Sequence, residues 1–224
     1  MKEMIKNTLI LFAITLIAGV SLSLVYSVTK EPIREQEEAT KQRAYQTVFA
    51  DAETFKETEN FDPEEATKLL HDANAGSYAD DEIQMLASAL DSDGNVLGSV
   101  ITVTTHAGFG GDITFAMGIR VDGTLTGVSI TAISETPGLG MRASEVLVPQ
   151  FSEKKTNTPF TVTKAGAAEP SEIDAISSAT ITSQALTDGV NAGVAFLQAW
   201  TERVMGPAMQ GGVELDMGGG AEYE

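Results

Sequence analysis

The sequence predicts an α+β protein in which a single N-terminal transmembrane helix precedes a domain of antiparallel β-hairpins packed with helices. Three observations support this class. An uncharged apolar run lies near the N-terminus, two Asp-Gly dipeptides each separate two β-branched segments, and a long segment near the C-terminus has apolar residues at helical spacing. The chain is therefore expected to consist of a membrane anchor and one folded domain.

The composition excludes several classes of protein. The 224 residues carry a net charge of −18 and include two histidines and no cysteine. So acidic a chain lacks the basic surface that nucleic acids require, and without cysteine it has no disulfides, iron–sulfur clusters or thiolate zinc sites. We expect no nucleic-acid partner and no metal site, so any redox chemistry would need an organic cofactor.

The apolar run Thr8–Val28 predicts the anchor. These residues carry no charge, and as a helix rising roughly 1.5 Å per residue they would span about 30 Å, the thickness of a bilayer core. Lys2 and Lys6 precede the run, which favours a cytoplasmic N-terminus and an extracytoplasmic main domain. A cleaved signal peptide is the alternative, but it would have a shorter apolar core and a small-residue cleavage site. Residues 1–28 are predicted to be a single-pass anchor in the cell membrane.

A connecting region is predicted over residues 29–81. Pro32 suits the first turn of a helix leaving the membrane, and Arg34–Phe49 is rich in helix-forming residues. The acidic stretch 51–81 is weakly patterned and is predicted to be a loop with one short helix at Pro63–His71.

Two β-hairpins are predicted next. Asp93-Gly94 and Asp122-Gly123 are turn dipeptides that lie between β-branched runs. The predicted strand pairs are Ile83–Leu90 with Val96–Thr104, and Ile113–Val121 with Thr124–Ile133.

Shorter elements and a long helix complete the predicted domain, residues 82–204. Met141–Val148 is predicted to be a short helix, Phe160–Thr163 a short strand and Ile181–Val204 the long helix. Its apolar face would comprise Ala185, Leu186, Val190, Val194, Leu197 and Trp200. The Gly- and Met-rich tail 205–224 has no periodicity and is predicted to be disordered.

Two glycine-rich segments lie at element boundaries. His106–Gly111 follows a predicted strand, and its glycines are most simply explained by a turn. Glu135–Gly140 has the sequence ETPGLG, in which Pro then Gly indicates a tight turn and a Leu lies between two glycines. Close approach of a flat ligand to the backbone would explain the second segment, and a plain turn would explain it too.

A third segment, Asp174–Ser183, leads into the long helix. Its Ser, Thr and Asp residues could simply cap the helix N-terminus. Alternatively, small residues at a helix N-terminus form an anion site, where a phosphate meets several N–H donors. Thr180 would then lie at the mouth of that site, where its hydroxyl could form a phosphoester.

The common phosphate-loop and nucleophile-elbow motifs are absent from the sequence. A Ser/His hydrolase would need His71 or His106 as its base, and neither has an evident orienting partner in sequence. No catalytic acid or base is therefore assigned.

Taken together, the anchor, the glycine cluster, ETPGLG and IDAISSATITS resemble one family, the G subunit of the Rnf electron-transport complex, a relative of the C subunit of the sodium-pumping NADH:quinone reductase. The resemblance covers almost the whole chain apart from the tail. It implies an FMN-binding domain in which the FMN phosphate is esterified to Thr180. It also implies a separate magnesium-dependent flavin transferase that makes this bond.

The resemblance also implies a set of flavin-site residues. Thr180 would anchor the phosphate, Ser177 and Ala179 would shape the turn before it, and Ser178 would lie at the same site. The ETPGLG residues Glu135, Thr136, Gly138, Leu139 and Gly140 would lie near the flavin, with Leu139 as an apolar contact and Thr136 as a polar one. The family motif usually has glycine where this chain has Ser178, and flavinylation is expected to tolerate this small residue.

The expected function is that of an electron-carrying subunit in a ferredoxin:NAD⁺ oxidoreductase that moves Na⁺ or H⁺. Its partners would be the other membrane subunits of the complex and the flavin transferase. The alternatives are the C subunit of a sodium-translocating NADH:quinone reductase and a non-redox extracytoplasmic binding module that uses ETPGLG as its ligand loop.

Overall fold

The computed structural model describes residues 1–211 and divides the chain into two compact units, Met1–Arg43 and Ala44 onward. An apolar N-terminal helix, an antiparallel sheet and helices packed on that sheet confirm the predicted α+β class. Residues 212–224, the greater part of the predicted tail, lie outside the described residues.

The first unit consists of most of helix α1, which spans Lys2–Val48. Among the described residues α1 is the one helix long and apolar enough to cross a membrane, and none of its most apolar stretch is buried within the protein. Such an exposed apolar surface is suited to a bilayer. The expectation that a new helix begins near Pro32 is wrong, since Pro32 lies inside α1. An interior proline removes one backbone donor and crowds the carbonyl four residues earlier, but the good helix formers around it continue the helix.

The second unit is built on a six-stranded antiparallel sheet whose strands neighbour one another in chain order. Both predicted hairpins form within a residue or two of the expected bounds. The strands are β1 (Thr54–Glu57), β2 (Asp81–Leu90), β3 (Val96–Thr105), β4 (Ile113–Arg120), β5 (Thr124–Ile133) and β6 (Lys154–Lys155). The turn glycines Gly94 and Gly123 have φ values of 81° and 75°, which explains why glycine follows aspartate in both turns.

The segment predicted as an acidic loop contributes more structure than expected. Strand β1 was not predicted, because four residues with mixed burial give too weak a pattern. Helix α2 spans Pro63–Ala73 and is capped by Asp62, whose carboxylate accepts a hydrogen bond from the Glu64 N–H at 2.9 Å. Its Leu70 is fully buried in the main core.

A series of short elements follows β5. Helix α3 (Ala143–Val146) lies between two single helical turns, Gly140–Arg142 and Val148–Phe151, in place of the one short helix predicted there. Strands β7 (Thr161–Thr163) and β8 (Glu172–Asp174) pair in parallel as a small separate sheet. They bring the chain to the start of the last helix.

Helix α4 (Thr180–Gly211) packs on one face of the sheet. Its predicted apolar face is confirmed, because Ala185, Leu186 and Val190 are buried in the core and the remaining three residues pack against it. The helix lies very close to β4: a Cβ on Gly193 would be 2.3 Å from the Met117 sulfur. The predicted tail begins within this helix, which continues to Gly211.

The opposite face of the sheet has its own small core. Tyr45, Val48 and Phe49, at and just beyond the end of α1, pack with Val100 and Ala116. The Arg120 guanidinium lies 5.6 Å from the centre of the Phe49 ring. The same guanidinium is 2.9 Å from Asp51. The sheet is therefore covered on both faces, which fixes its strand register.

One carboxylate in the second unit is buried at an energetic cost. Asp81, at the start of β2, is only 4% exposed, and its Oδ1 has no hydrogen-bond partner among the residues that the structure describes. The pKa of the Asp81 carboxyl is raised to about 6, chiefly by burial; the nearby Asp188 and Asp80 add to this rise, whereas the Thr105 hydroxyl and His71 oppose it. The charged form at neutral pH therefore opposes folding.

This cost predicts a specific pH dependence of stability. Between about pH 4, the ordinary range of the unfolded carboxyl, and about pH 6, the folded state keeps a proton that the unfolded state releases, so raising the pH lowers the free energy of unfolding. Asp81→Asn should remove this slope and raise the free energy of unfolding at pH 7 by about 2 kcal/mol.

Denaturant unfolding of the full chain in detergent, followed at pH 4 and pH 7, measures this effect. The matched control is Asp93→Asn at an exposed position in the turn between β2 and β3, which should leave the pH dependence in place. An Asp81→Asn variant that loses stability at pH 7, or that keeps the slope, would contradict the assignment.

Candidate functional site

The three segments singled out in the sequence meet at one cavity of about 330 Å³ in the second unit. It lies where the β3–β4 loop, the segment after β5 and the start of α4 come together. Its lining residues are Phe109, Glu135, Thr136, Leu139, Gly140, Ser178, Ala179, Thr180, Ile181 and Thr182. Segments more than sixty residues apart in the chain thus form a single site.

The Glu135 carboxylate joins two of these segments. It is 7% exposed and accepts hydrogen bonds from the Phe109 N–H at 2.7 Å, the Gly110 N–H at 3.2 Å and the Thr136 N–H at 3.3 Å. Buried carboxylates need such partners, and bonds from backbone N–H groups to a charged acceptor are strong. Glu135 therefore holds the β3–β4 loop against the ETPGLG segment.

Glycine is required where backbone packs against this carboxylate. A Cβ at Gly140 would lie 2.7 Å from both the Glu135 Oε2 and the Thr182 Oγ1, and a Cβ at Gly110 would lie 2.8 Å from the Ser134 carbonyl. Distances below 3.0 Å do not occur for real Cβ contacts, so a side chain would push these groups apart. The glycines singled out in the sequence thus allow close approach.

The ETPGLG segment contains the predicted tight turn. The Leu139 N–H donates to the Thr136 carbonyl at 3.2 Å, and Gly138 has a φ of 77° at the third position, as a turn with proline at its second position requires. The turn leaves Leu139 39% exposed at the cavity.

The N-terminus of α4 has no side-chain cap. Helix α4 begins at Thr180, so its capping position is Ala179, which has no side-chain acceptor. The hydroxyl that does act locally belongs to Ser183: it accepts from the Ile176 N–H at 3.0 Å and donates to the Ala179 carbonyl at 2.9 Å. The alternative that Ser and Thr residues of the motif simply cap the helix is therefore not supported by their geometry.

The start of α4 consequently presents free donors to the cavity. Within residues 1–211, no acceptor is hydrogen bonded to the N–H groups of Thr180, Ile181 or Thr182, nor is any partner bonded to the Thr180 hydroxyl. Unpaired N–H groups and the positive end of the helix dipole favour an anion at this point. Glu135 is the one ionisable side chain of the lining, and three N–H groups already bind it.

Ser178 adopts a backbone conformation that favours glycine. Its φ is 67°, in the left-handed region, whereas the neighbouring Ser177 lies outside that region. Left-handed backbone costs a residue with a Cβ roughly 1 kcal/mol. The turn before Thr180 is therefore strained in this chain at the position where the family motif has glycine.

The structure places most of the predicted site residues around the cavity. Seven of the nine line it; Ser177 and Gly138 do not, and both are exposed. Three further lining residues were not predicted as site residues: Phe109, Ile181 and Thr182. The glycine cluster around Phe109 was the available signal, but a turn explained it equally well.

The two histidines lie outside the cavity lining. His106 Nδ1 is 2.8 Å from Asp112 Oδ1, and its Nε2 is 3.4 Å from Glu82 Oε1. The hydrogen bond with Asp112 raises the pKa of His106, and Glu82 adds to the effect, although partial burial opposes it. The described residues contain no group of three or more His, Asp or Glu side chains that could hold a metal ion.

Comparison with protein families gives two matches. A model described as the FMN-binding domain matches residues 108–195, which include the whole cavity, and a model described as the RnfG N-terminal region matches residues 1–48. The fold, the cavity and these matches define the class: a protein with an N-terminal membrane anchor and an FMN-binding domain.

Curated relatives cover nearly the full chain. The G subunit of the Na⁺-translocating ferredoxin:NAD⁺ oxidoreductase complex of Acetobacterium woodii is 34% identical over 88% of this chain and 93% of its own length. The G subunit of the ion-translocating oxidoreductase complex of Methanosarcina acetivorans is 28% identical over 88% of this chain and 96% of its own. The crystal structure of Shewanella oneidensis NqrC is 18% identical, covers 55% of this chain and 61% of that one, and has a TM-score of 0.47.

The chain belongs to the RnfG family, the G subunits of the ion-translocating oxidoreductase complexes known as Rnf complexes. The resemblance found in the sequence is thereby confirmed, and FMN is the cofactor of its second unit. As a G subunit, the chain has the other subunits of such a complex as partners.

The strain at Ser178 predicts a stabilising substitution. Ser178→Gly should raise the free energy of unfolding by about 0.5–1 kcal/mol, because glycine adopts a positive φ without steric cost. Ser177→Gly, the matched control one residue earlier, should lower it by a few tenths, since there glycine only adds entropy to the unfolded chain.

Chemical unfolding of the two variants beside the parent protein provides the measurement. Equal effects of the two glycine substitutions, or a Ser178→Gly variant that is less stable than the parent, would show that the positive φ carries no strain.

Proposed function

We propose that this chain is the electron-carrying G subunit of a membrane-bound ferredoxin:NAD⁺ oxidoreductase, and that it carries FMN covalently through a phosphoester to the Thr180 hydroxyl. The observation that carries the proposal is the position of Thr180. It is the first residue of α4 and lines the cavity that all three motifs form, and its hydroxyl makes no hydrogen bond to any described residue.

The residues around the cavity fit the phosphate end of FMN. The three free N–H groups at the start of α4 would bind the phosphate oxygens, with the helix dipole adding to their attraction. The turn through Ser177, Ser178 and Ala179 would set the direction in which Thr180 points. Because the cavity lining has no Lys or Arg, backbone donors carry the electrostatic stabilisation.

The other walls fit the flavin itself. We propose that Leu139 contacts the ring with its apolar side chain and that Thr136 offers a hydroxyl beside it. Gly140 adds no side chain to this wall of the cavity, since any side chain there would collide with Glu135 and Thr182. Gly138 supports the turn from outside the cavity.

When bound, FMN supplies transfer of one or two electrons. The protein's residues then have to hold and orient the flavin, and no side chain is assigned as a catalytic acid or base. A covalent tether would prevent loss of the cofactor outside the cytoplasm. A separate flavin transferase would form the ester during maturation.

The orientation of the anchor follows from its flanking charges. Lys2 and Lys6 precede the apolar stretch of α1, and positively charged flanks stay on the cytoplasmic side. We propose a cytoplasmic N-terminus and an extracytoplasmic FMN domain. The coupled ion is proposed to be Na⁺ or H⁺: the Acetobacterium woodii relative is named for Na⁺, and a G subunit from Clostridium ljungdahlii, 35% identical over 48% of this chain, is named for protons.

In-gel flavin fluorescence of denatured protein tests the tether. Produced together with a flavin transferase, the parent protein should give a fluorescent band, and Thr180→Val should give a dark one because it has no hydroxyl to esterify. Thr136→Val is the matched control, since it removes a hydroxyl from another wall of the same cavity and should stay fluorescent. A fluorescent Thr180→Val band would show that FMN is attached to another residue. A dark band from the parent protein would refute covalent FMN.

A further inference from the structure

Three exposed apolar side chains surround the mouth of the Thr180 cavity. Phe109 is 69% exposed, Ile181 53% and Leu139 39%, and each comes from a different one of the three motifs. Exposed apolar groups that cluster at a cavity mark a binding surface. The aromatic residue is the most exposed of the three, and of the three only Leu139 was assigned to the site from the sequence.

The backbone that carries Phe109 is held in place. Its own N–H and that of Gly110 are bound by the buried Glu135 carboxylate at 2.7 and 3.2 Å. At the ends of the same loop, His106 and Asp112 are joined by a hydrogen bond of 2.8 Å. The loop therefore presents an aromatic ring at a defined position beside the cavity.

We propose that Phe109 is the aromatic wall against which the isoalloxazine ring lies, and that Glu135 is a positioning residue that acts on the flavin through the Phe109 loop. This proposal rests on the proposed function, because it requires FMN tethered at Thr180. In this proposal Glu135 holds the loop that carries Phe109 and does not itself bind the flavin, because its carboxylate oxygens already accept three backbone N–H bonds.

The chemistry of the ring suits this wall. A flat aromatic system gains most from an offset or edge-on aromatic neighbour, by about 0.5–1.5 kcal/mol beyond burial alone, and Leu139 and Ile181 extend the apolar surface. A flavin bound at this position would bury apolar side chains that are otherwise exposed to solvent. The tether fixes the phosphate end of FMN, while Phe109 would fix the orientation of its ring.

Tryptophan scanning tests the contact directly, because an indole that touches an excited flavin quenches its fluorescence by electron transfer. In full-length protein loaded by the transferase, Phe109→Trp should lower native flavin fluorescence to less than about half of the parent value. The value is expressed relative to the same sample after denaturation, so incomplete loading cancels.

The matched control is Val121→Trp. Val121 is 77% exposed and apolar like Phe109, but it follows the far end of β4 from the cavity. Its substitution should leave the ratio unchanged. No quenching in Phe109→Trp, or equal quenching in both variants, would overturn the contact.

Glu135→Gln tests the positioning role in the Phe109→Trp background. Losing the carboxylate weakens the hold on the loop, so the quenching should diminish by about half or more. Glu135→Gln alone supplies the reference ratio against which the double variant is compared. Near-ultraviolet circular dichroism confirms that each variant is folded. Undiminished quenching in the folded double variant would refute the positioning role. A parent protein that loses its flavin on denaturation would refute the proposed tether instead, and with it this proposal.

Discussion

The site depends on one buried carboxylate. Glu135 receives N–H groups from two loops that lie on either side of the β4–β5 hairpin, and a charged group so enclosed is stable only while those bonds last. It requires glycine at positions 110 and 140, where any Cβ would collide with it or its surroundings. Together with the Ser134 N–H bond to the Asp112 carbonyl at 3.0 Å, this interaction fixes the β3–β4 loop relative to the ETPGLG turn.

The packing of α4 on the sheet brings the third motif, at the start of this helix, to the same cavity. Close packing of α4 on β4, made possible by Gly193, leaves the start of the helix beside Glu135 and Gly140. The start of α4 lacks a side-chain cap, so the backbone N–H groups of its first residues stay unpaired beside the cavity. Ser183 thus secures the turn, and the Thr180 hydroxyl has no hydrogen-bond partner among the described residues.

Much of the fold could be predicted from local sequence. Both hairpins follow from Asp-Gly turns whose glycines have positive φ, and the buried face of α4 follows from its helical spacing. Strand β1 could not be found, because its four residues carry no clear alternation. The continuation of α1 through Pro32 could not be predicted either, since proline favours the first turn of a helix and disfavours its interior.

The candidate site was predictable only in pieces. Each motif suggested a turn or a cap as readily as a ligand site, and the bond between Glu135 and Phe109 joins residues 26 positions apart, which no local pattern reveals. For the same reason Phe109 was not assigned to the site, although the glycines around it were noticed. Resemblance to the family supplied the link that spacing alone could not.

The mass of the peptide that contains Thr180 tests the central claim most directly. Protein produced with an active flavin transferase is digested, and the peptides are sequenced by mass spectrometry. We expect the Thr180 peptide to be heavier by one FMN less one water, with the added mass on the Thr180 side chain. An unmodified Thr180 peptide in fully flavinylated protein would contradict it.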